Sequence, residues 1–340
     1  MSSPGPILEV RELTKGFPVR GGILQREVGR VLAVDRVSFS LERGRTLGLV
    51  GESGCGKSTL GRTLVRLYEP DTGTITLEGR DFLALDRDEL KKARARIQLI
   101  FQDPYASLNP RMSIGRILEE PYKLHGIGTR QERGQKVIGL LERVGMRPDA
   151  ADRFPHEFSG GQRQRIGIAR AIALEPEVVI CDEPVSALDV SIQSQVLNLL
   201  RELQHRLGLT YVFISHDLAV VRYISDRVAV MYLGRLAEVA DTDDLYRSPR
   251  HPYTQALLES LPLPDPRRRG RGAPLEGDVP SPRNPPPGCH FHTRCKYAIE
   301  QCKREEPQLL ALSTKASHKV ACHLVHSGAL PPPPVKDVQS

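Results

Sequence analysis

Nine consecutive residues carry the sharpest chemistry in this sequence: Gly51-Glu52-Ser53-Gly54-Cys55-Gly56-Lys57-Ser58-Thr59. The spaced glycines let successive backbone N–H groups point into one anion-sized hollow, and a following helix adds the positive end of its dipole. Lys57 is then placed to reach β- and γ-phosphates, and the Ser58 hydroxyl to ligate Mg²⁺. The flanks agree. The apolar run 46–50 reads as a buried strand, and Leu60, Leu64 and Leu67 fall at helical spacing. A glycine-rich turn that binds nothing would require neither flank, so the implied ligand is a nucleoside triphosphate.

Other polar residues sit where such a ligand could meet them. Gln102 ends the strand predicted over 97–101, at the edge where ligands of open α/β sheets gather. Ser159-Gly160-Gly161-Gln162 opens a helix over 162–174 with Ser159 as N-cap, which makes a second anion-binding terminus. The P-loop already takes the phosphates of this chain's own nucleotide. A second site therefore implies a different nucleotide and a head-to-tail dimer, the plainer alternative being an ordinary capped helix. The apolar strand 178–183 ends in Asp182 and Glu183. Strand alternation predicts that they face opposite sides, one holding Mg²⁺ through water and one facing an attacking water. Ser186-Ala187-Leu188-Asp189 follows, and His216 closes the apolar strand 210–214. A lone histidine is usually structural, but this position reads as a γ-phosphate contact. Phe17 is a candidate platform for an adenine ring, with a core phenylalanine at a strand end equally open.

The elements that must hold these residues are those of an α/β nucleotide fold. Strands are predicted over 7–13 and 31–41, with a loop or insertion at Phe17-Pro18-Val19-Arg20-Gly21-Gly22-Ile23 between them. A turn at 69–73 leads into a short strand over 74–77. From Tyr105 to about Phe158 the pattern becomes helical, an inserted helical subdomain (105–158) with Val137, Leu140, Leu141 and Val144 on one face. At 340 residues two domains are the prior expectation. Hydrophobic residues at 39% and charged residues at 26% are ordinary for a globular chain, and no run of about 18 apolar residues could span a bilayer. The first nine residues carry no export signal, which points to the cytoplasm. Of the net charge of +7, most lies in residues 265–340, where 12 Lys/Arg face 7 Asp/Glu. That local basic tail argues against a nucleic-acid-binding fold.

Gly51 to Ser58, Gln102, Ser159 to Gln162, Asp182-Glu183, Ser186 to Asp189 and His216, in this order, resemble the ATP-binding cassette (ABC) family over roughly residues 7–262. The segment from Phe101 to Arg111, the run from Cys181 to Gln193 and His251-Pro252-Tyr253-Thr254 resemble the oligopeptide/dipeptide importer branch, with Cys181 and Val185 leaning toward its second ATPase subunit. The resemblance implies an α/β P-loop NTPase fold with a RecA-like core, a β-subdomain and an inserted helical subdomain, spanning residues 1–262. It implies that Gly51, Ser53, Gly54, Gly56, Lys57, Ser58 and Thr59 hold ATP, and that Ser58, Asp182 and Gln102 serve Mg²⁺. Glu183 would be the general base and His216 would orient the γ-phosphate. Ser159, Gly160, Gly161, Gln162 and Asp189 would serve the partner's nucleotide. Phe158 stands where the family signature usually has Leu. Implied partners are a second ATPase subunit in a heterodimer, two membrane-spanning permeases and an extracytoplasmic solute-binding protein, with this chain peripheral on the cytoplasmic face of the inner membrane. A carbon–phosphorus lyase-like accessory cassette, an importer of another solute such as nickel, and a repair or translation cassette are the alternatives.

Past residue 262 a Pro/Arg-rich linker leads to Cys289, Cys295, Cys302 and Cys322, a small Cys-rich extension over 263–330. Disulfides are not expected in a cytoplasmic chain. Structural zinc generally uses shorter paired spacings, and four thiolates can equally hold an iron–sulfur cluster. The resemblance to the carboxy-terminal region of peptide-importer ATPases implies 4Fe–4S, ahead of zinc and of four free cysteines. His290, His292, His318 and His323 are possible substitutes, and 331–340, with four prolines, reads as a disordered tail.

Overall fold

A computed structural model describes residues 5–21, 26–260 and 277–330. The expected tail over 331–340 and the linker over 263–276 lie outside these residues. The chain forms two compact units interleaved in sequence. The first comprises Met1–Glu9, Ser40–Thr46 and Thr76–Ile214, the second Val10–Phe39, Leu47–Ile75 and Ser215–Ser340.

The first unit is built on three parallel strands, Ile97–Ile100, Val178–Asp182 and Thr210–Ile214. Ile97 stands opposite Val178, and Val178 opposite Thr210. Every residue of the last two strands is buried, which is why both read as unbroken apolar runs rather than alternating ones. The stretch after the first strand is helical. Ile114–Leu124 precedes Arg130–Arg143, whose start is fixed by reciprocal hydrogen bonds between Thr129 and Glu132. Val137, Leu140 and Leu141 bury the apolar face of the second helix.

The second unit carries the P-loop strand. Leu47 to Val50 run parallel to Arg227–Tyr232, with Leu47 opposite Arg227 and Val50 opposite Val230. A tight turn at Leu233-Gly234, both at positive φ, sends Arg235–Asp241 back antiparallel. A strand from the chain's far end then joins the sheet: Lys315–Val320 pairs with Arg235–Asp241, Val320 opposite Glu238, and Leu310–Leu312 lies outermost. In Lys315–Val320 the alternate residues His318 and Val320 are buried.

The second sheet corrects the loop expected at 17–23 over residues 17–21, and 22–23 lie outside the described residues. Leu8–Gly21 is one continuous strand between Arg26–Leu41 and Thr72–Leu77. Proline is tolerated inside it for a geometric reason. The Gly16 N–H donates to Asp71 Oδ2 on the side of the shorter neighbour. Pro18, two residues on, turns its missing donor the same way, past the end of that neighbour, where no ladder bond is forfeited.

A buried carboxyl group ties parts of the second unit together. Glu238, fully buried, accepts the backbone N–H groups of Arg250 (2.7 Å) and His251 (2.9 Å). Its Oε1 also meets His318 Nε2 at 2.7 Å. Burial holds the His251 imidazole near pKa 4, hence neutral, and its Nδ1 accepts the Tyr253 N–H. Glu238→Ala strands two backbone donors and an imidazole in the interior. It is expected to lower the stability of the full chain by about 3–5 kcal/mol, read as a shifted urea midpoint at unchanged slope.

Candidate functional site

The P-loop is shaped by the impossibility of placing side chains in it. Gly51 (φ 154°) and Gly56 (φ 108°) lie in the region that favours glycine. A Cβ on Gly51 would come within 2.1 Å of the Met231 carbonyl oxygen, and one on Gly56 within 1.8 Å of the Ala33 carbonyl oxygen. Gly54 is also at positive φ. The loop ends in the helix Lys57–Leu64, whose N-cap is Gly56 and receives no side-chain bond. Lys57 is buried, and its ammonium donates to the carbonyls of Gly51 (2.8 Å) and Glu52 (3.0 Å). The cation is thus held across the mouth of the loop by neutral oxygens that an anionic ligand can displace. Burial raises the Cys55 thiol above its ordinary pKa, so it stays neutral beside Lys57. Ser53 is exposed, and Ser58 and Thr59 are half-buried on the first turn.

Two further predicted residues belong to this unit. Phe17 is half-buried, edge-on to Tyr68 at 5.3 Å, with the Lys15 ammonium over its ring. His216 is exposed after the strand Thr210–Ile214, and the adjacent Ser215 N–H donates to the Leu49 carbonyl.

The other unit holds the carboxylates. Asp182 is fully buried at the last position of its strand. Glu183 lies just beyond, at φ 47°, so the expected strand alternation of the two acids does not apply to it. A left-handed backbone at a non-glycine residue stores strain and recurs at functional sites. Its fixings are local: Glu183 N–H donates to the Ile214 carbonyl, and Ser186 Oγ to the Glu183 carbonyl. Gln102 Nε2 donates to Glu183 Oε2 at 2.9 Å, joining two residues 81 apart in sequence. Ser58 and Asp182 offer a hydroxyl and a carboxylate, hard oxygen donors of the kind Mg²⁺ takes.

Ser159 caps the helix Gly160–Ile172. Its Oγ accepts from Gln162 N–H, and Gln162 Oε1 accepts from Ser159 N–H. Gly161 is required by packing, since a Cβ there would meet Ile192 Cγ2 at 2.5 Å. Asp189 is exposed at the N-cap of Val190–Leu207. The unusual Phe158 is buried, with the Arg153 guanidinium stacked on its ring at 4.5 Å.

The cysteines depart from expectation. Among the described residues, no group of three or more His, Cys, Asp or Glu is arranged to hold a metal ion. Burial pushes the thiols of Cys289 and Cys295 up to about 12 and about 11, and raises that of Cys322. The four sulfurs are nevertheless electrostatic neighbours. Backbone N–H groups of Phe291, Tyr297, and Leu324 with Val325 point at Cys289, Cys295 and Cys322 respectively. The four histidines are engaged elsewhere, His290 with Leu233 O, His292 with Cys289 O, His318 with Glu238 and His323 with Glu305 O.

The surroundings of Glu52 carry no signature in the sequence. Its N–H donates to Tyr253 Oη at 3.0 Å, and its carboxylate takes two bonds from Arg294, at 2.7 and 3.1 Å. No local signal links positions 242 residues apart.

Comparison with known proteins places these features in context. Residues 34–186 match the family model described as ABC transporter, and residues 237–302 the model described as oligopeptide/dipeptide transporter, C-terminal region. The oligopeptide transport ATP-binding protein AppF of Bacillus subtilis is 57% identical over 323 residues, covering 94% of this chain and 97% of AppF. The putative oligopeptide transport ATP-binding protein YkfD of the same organism is 51% identical over 325 residues, 94% and 95% of the two chains. Among solved structures, the dimeric post-hydrolysis state of the ATP-binding cassette MJ0796 bound to ADP and Pi matches with TM-score 0.61 at 27% identity. That match covers 69% of this chain and 98% of MJ0796. CbiO1 from Clostridium perfringens, part of the transporter complex cbiONQ, gives TM-score 0.61 at 28% identity over 71% and 91% of the chains.

Proposed function

The chain belongs to the ABC family of transporter ATPases, and from that premise we propose that it hydrolyses ATP to drive import of di- or oligopeptides through membrane-spanning permeases. The observation that carries the peptide reading is the match of residues 237–302 to the carboxy-terminal region of oligopeptide/dipeptide transporters, joined to the cassette in one chain. Relatives named as oligopeptide transport ATP-binding proteins, aligned over nearly their whole length, support it over the lyase-like and nickel alternatives.

The proposed chemistry is in-line hydrolysis. Lys57 leaves the carbonyls of Gly51 and Glu52 for the β- and γ-phosphates, and the loop N–H groups bind the same anions. Ser58 and Asp182 would hold Mg²⁺, with Gln102 as a further contact, and the ion would supply charge neutralisation at the phosphates. Glu183 takes a proton from water as the water oxygen bonds to the γ-phosphorus and the bond to the β-phosphate oxygen breaks. Its hydrogen bond from Gln102 supports that pairing of roles. His216 orients the γ-phosphate and Phe17 stacks on the adenine. Ser159, Gly160, Gly161, Gln162 and Asp189 face the nucleotide of a partner cassette, in a heterodimer with a second ATPase subunit. Two permeases and an extracytoplasmic solute-binding protein complete the assembly, with this chain peripheral on the cytoplasmic face of the membrane. Among the described residues no helix is long and apolar enough to cross a membrane, in keeping with a peripheral subunit.

Cys289, Cys295, Cys302 and Cys322 are proposed to hold a 4Fe–4S cluster rather than zinc. The convergence of four sulfurs and the backbone N–H groups aimed at three of them support thiolate ligation, which would release the thiol protons. When bound, such a cluster supplies cross-linking of the extension and a redox centre.

Glu183→Gln is expected to keep ATP binding while cutting hydrolysis by about 10²–10⁴, measured as phosphate release. Undiminished turnover would remove Glu183 from the base role. Mild-detergent purification of the tagged chain should recover two multispanning permeases and a second cassette; soluble enzymes or nucleic acid in their place would overturn the transport reading. Anaerobically purified full chain should carry ~4 iron per chain with visible absorbance, lost in Cys295→Ser. Zinc alone would decide for the other metal.

A further inference from the structure

Arg294 is the least exposed arginine side chain among the salt-bridged pairs described, at 4%, and it comes from the extension rather than from the cassette motifs. It closes a short 3₁₀ turn, His292–Arg294, immediately before Cys295. The turn is seated by Phe291, which is buried edge-on to Tyr232 at 5.4 Å and packs on Tyr253 at 5.3 Å. From this seat the guanidinium reaches Glu52, the second residue of the P-loop, through a bidentate pair, and Tyr232 Oη at 3.5 Å.

Glu52 is thereby fixed at three points. Its N–H is held by Tyr253, its carbonyl receives Lys57, and its carboxylate receives Arg294. The last matters most for an anion-binding loop. A carboxylate at this position repels phosphate. Released from its guanidinium, on a residue whose backbone carbonyl already receives the Lys57 ammonium, it would compete with phosphate for that ammonium. We propose that Arg294 is a positioning residue for ATP binding, which neutralises Glu52 and holds it off Lys57, so that the Cys-rich extension completes the P-loop within the same unit. The proposal rests on the nucleotide reading of the P-loop given above.

The test uses the full chain and the Mg²⁺ complex of the non-hydrolysable β,γ-imido analogue of ATP, with ATP turnover measured alongside. Arg294→Gln should weaken analogue binding by at least about tenfold and raise KM for ATP with kcat little changed. Arg294→Lys should fall between that variant and wild type. The decisive arm is Arg294→Gln combined with Glu52→Gln. Removing the unpaired carboxylate should bring affinity back to within about threefold of Glu52→Gln alone. A merely structural Arg294 would not be rescued in this way. Unchanged affinity in Arg294→Gln, or a double variant as weak as that single one, would overturn the proposal. If Arg294→Gln fails to fold, Arg294→Lys with and without Glu52→Gln supplies the same comparison. Wild-type chain that does not bind the analogue would overturn the nucleotide reading itself, an outcome distinct from any difference among the variants.

Discussion

The structure turns on a loop with no room for a side chain. Gly51 and Gly56 each place the backbone against a carbonyl oxygen, of Met231 and Ala33, at distances no Cβ could occupy. Contact of this kind lets main-chain N–H groups be presented as a preformed anion cradle instead of being organised at the cost of binding energy. It also fixes what surrounds the loop. The Arg227–Tyr232 strand has to run parallel to the P-loop strand in one register so that Met231 arrives under Gly51. Its return turn at Leu233-Gly234 then begins the edge that receives the strand Lys315–Val320.

Two ionisable residues serve that arrangement by opposite means. Glu238 is a buried carboxyl group satisfied by backbone N–H groups and an imidazole, and it secures the segment from which Tyr253 reaches the P-loop. Arg294 is a buried cation satisfied by a carboxylate on the loop itself. Both lie in or beside the region matched to peptide-transporter carboxy termini, 237–302. That region is part of the compact unit containing the P-loop.

Much of the site was legible because its chemistry is local. Glycine spacing, Lys57-Ser58, the Ser159 cap and the apolar strand ending at Asp182 each need only a few neighbours to be recognised. Other features were not. Phe17 to Gly21 looked like a loop because proline and glycine usually break strands, yet the missing donor of Pro18 points past the end of the shorter neighbouring strand. Glu183 looked like the next residue of a strand, but the backbone had already turned into the left-handed region. The Glu52–Arg294 pair and the added strand Lys315–Val320 depend on contacts across more than 70 residues, where periodicity carries no information. The cysteine spacing suggested ligands, and among the described residues no group of three or more His, Cys, Asp or Glu is arranged to hold a metal ion.

The late strand has a consequence for how the protein is made. The edge of Arg235–Asp241 is covered only when Lys315–Val320 arrives, more than 70 residues downstream. At roughly 5–20 residues per second, a ribosome needs about 4–15 s to deliver it. Throughout that interval the nascent cassette presents an unpaired strand edge, the surface most prone to pairing with a neighbouring chain. Biogenesis therefore contains a vulnerable window set by chain connectivity, and polysomes crowded with this message are where mispairing would concentrate.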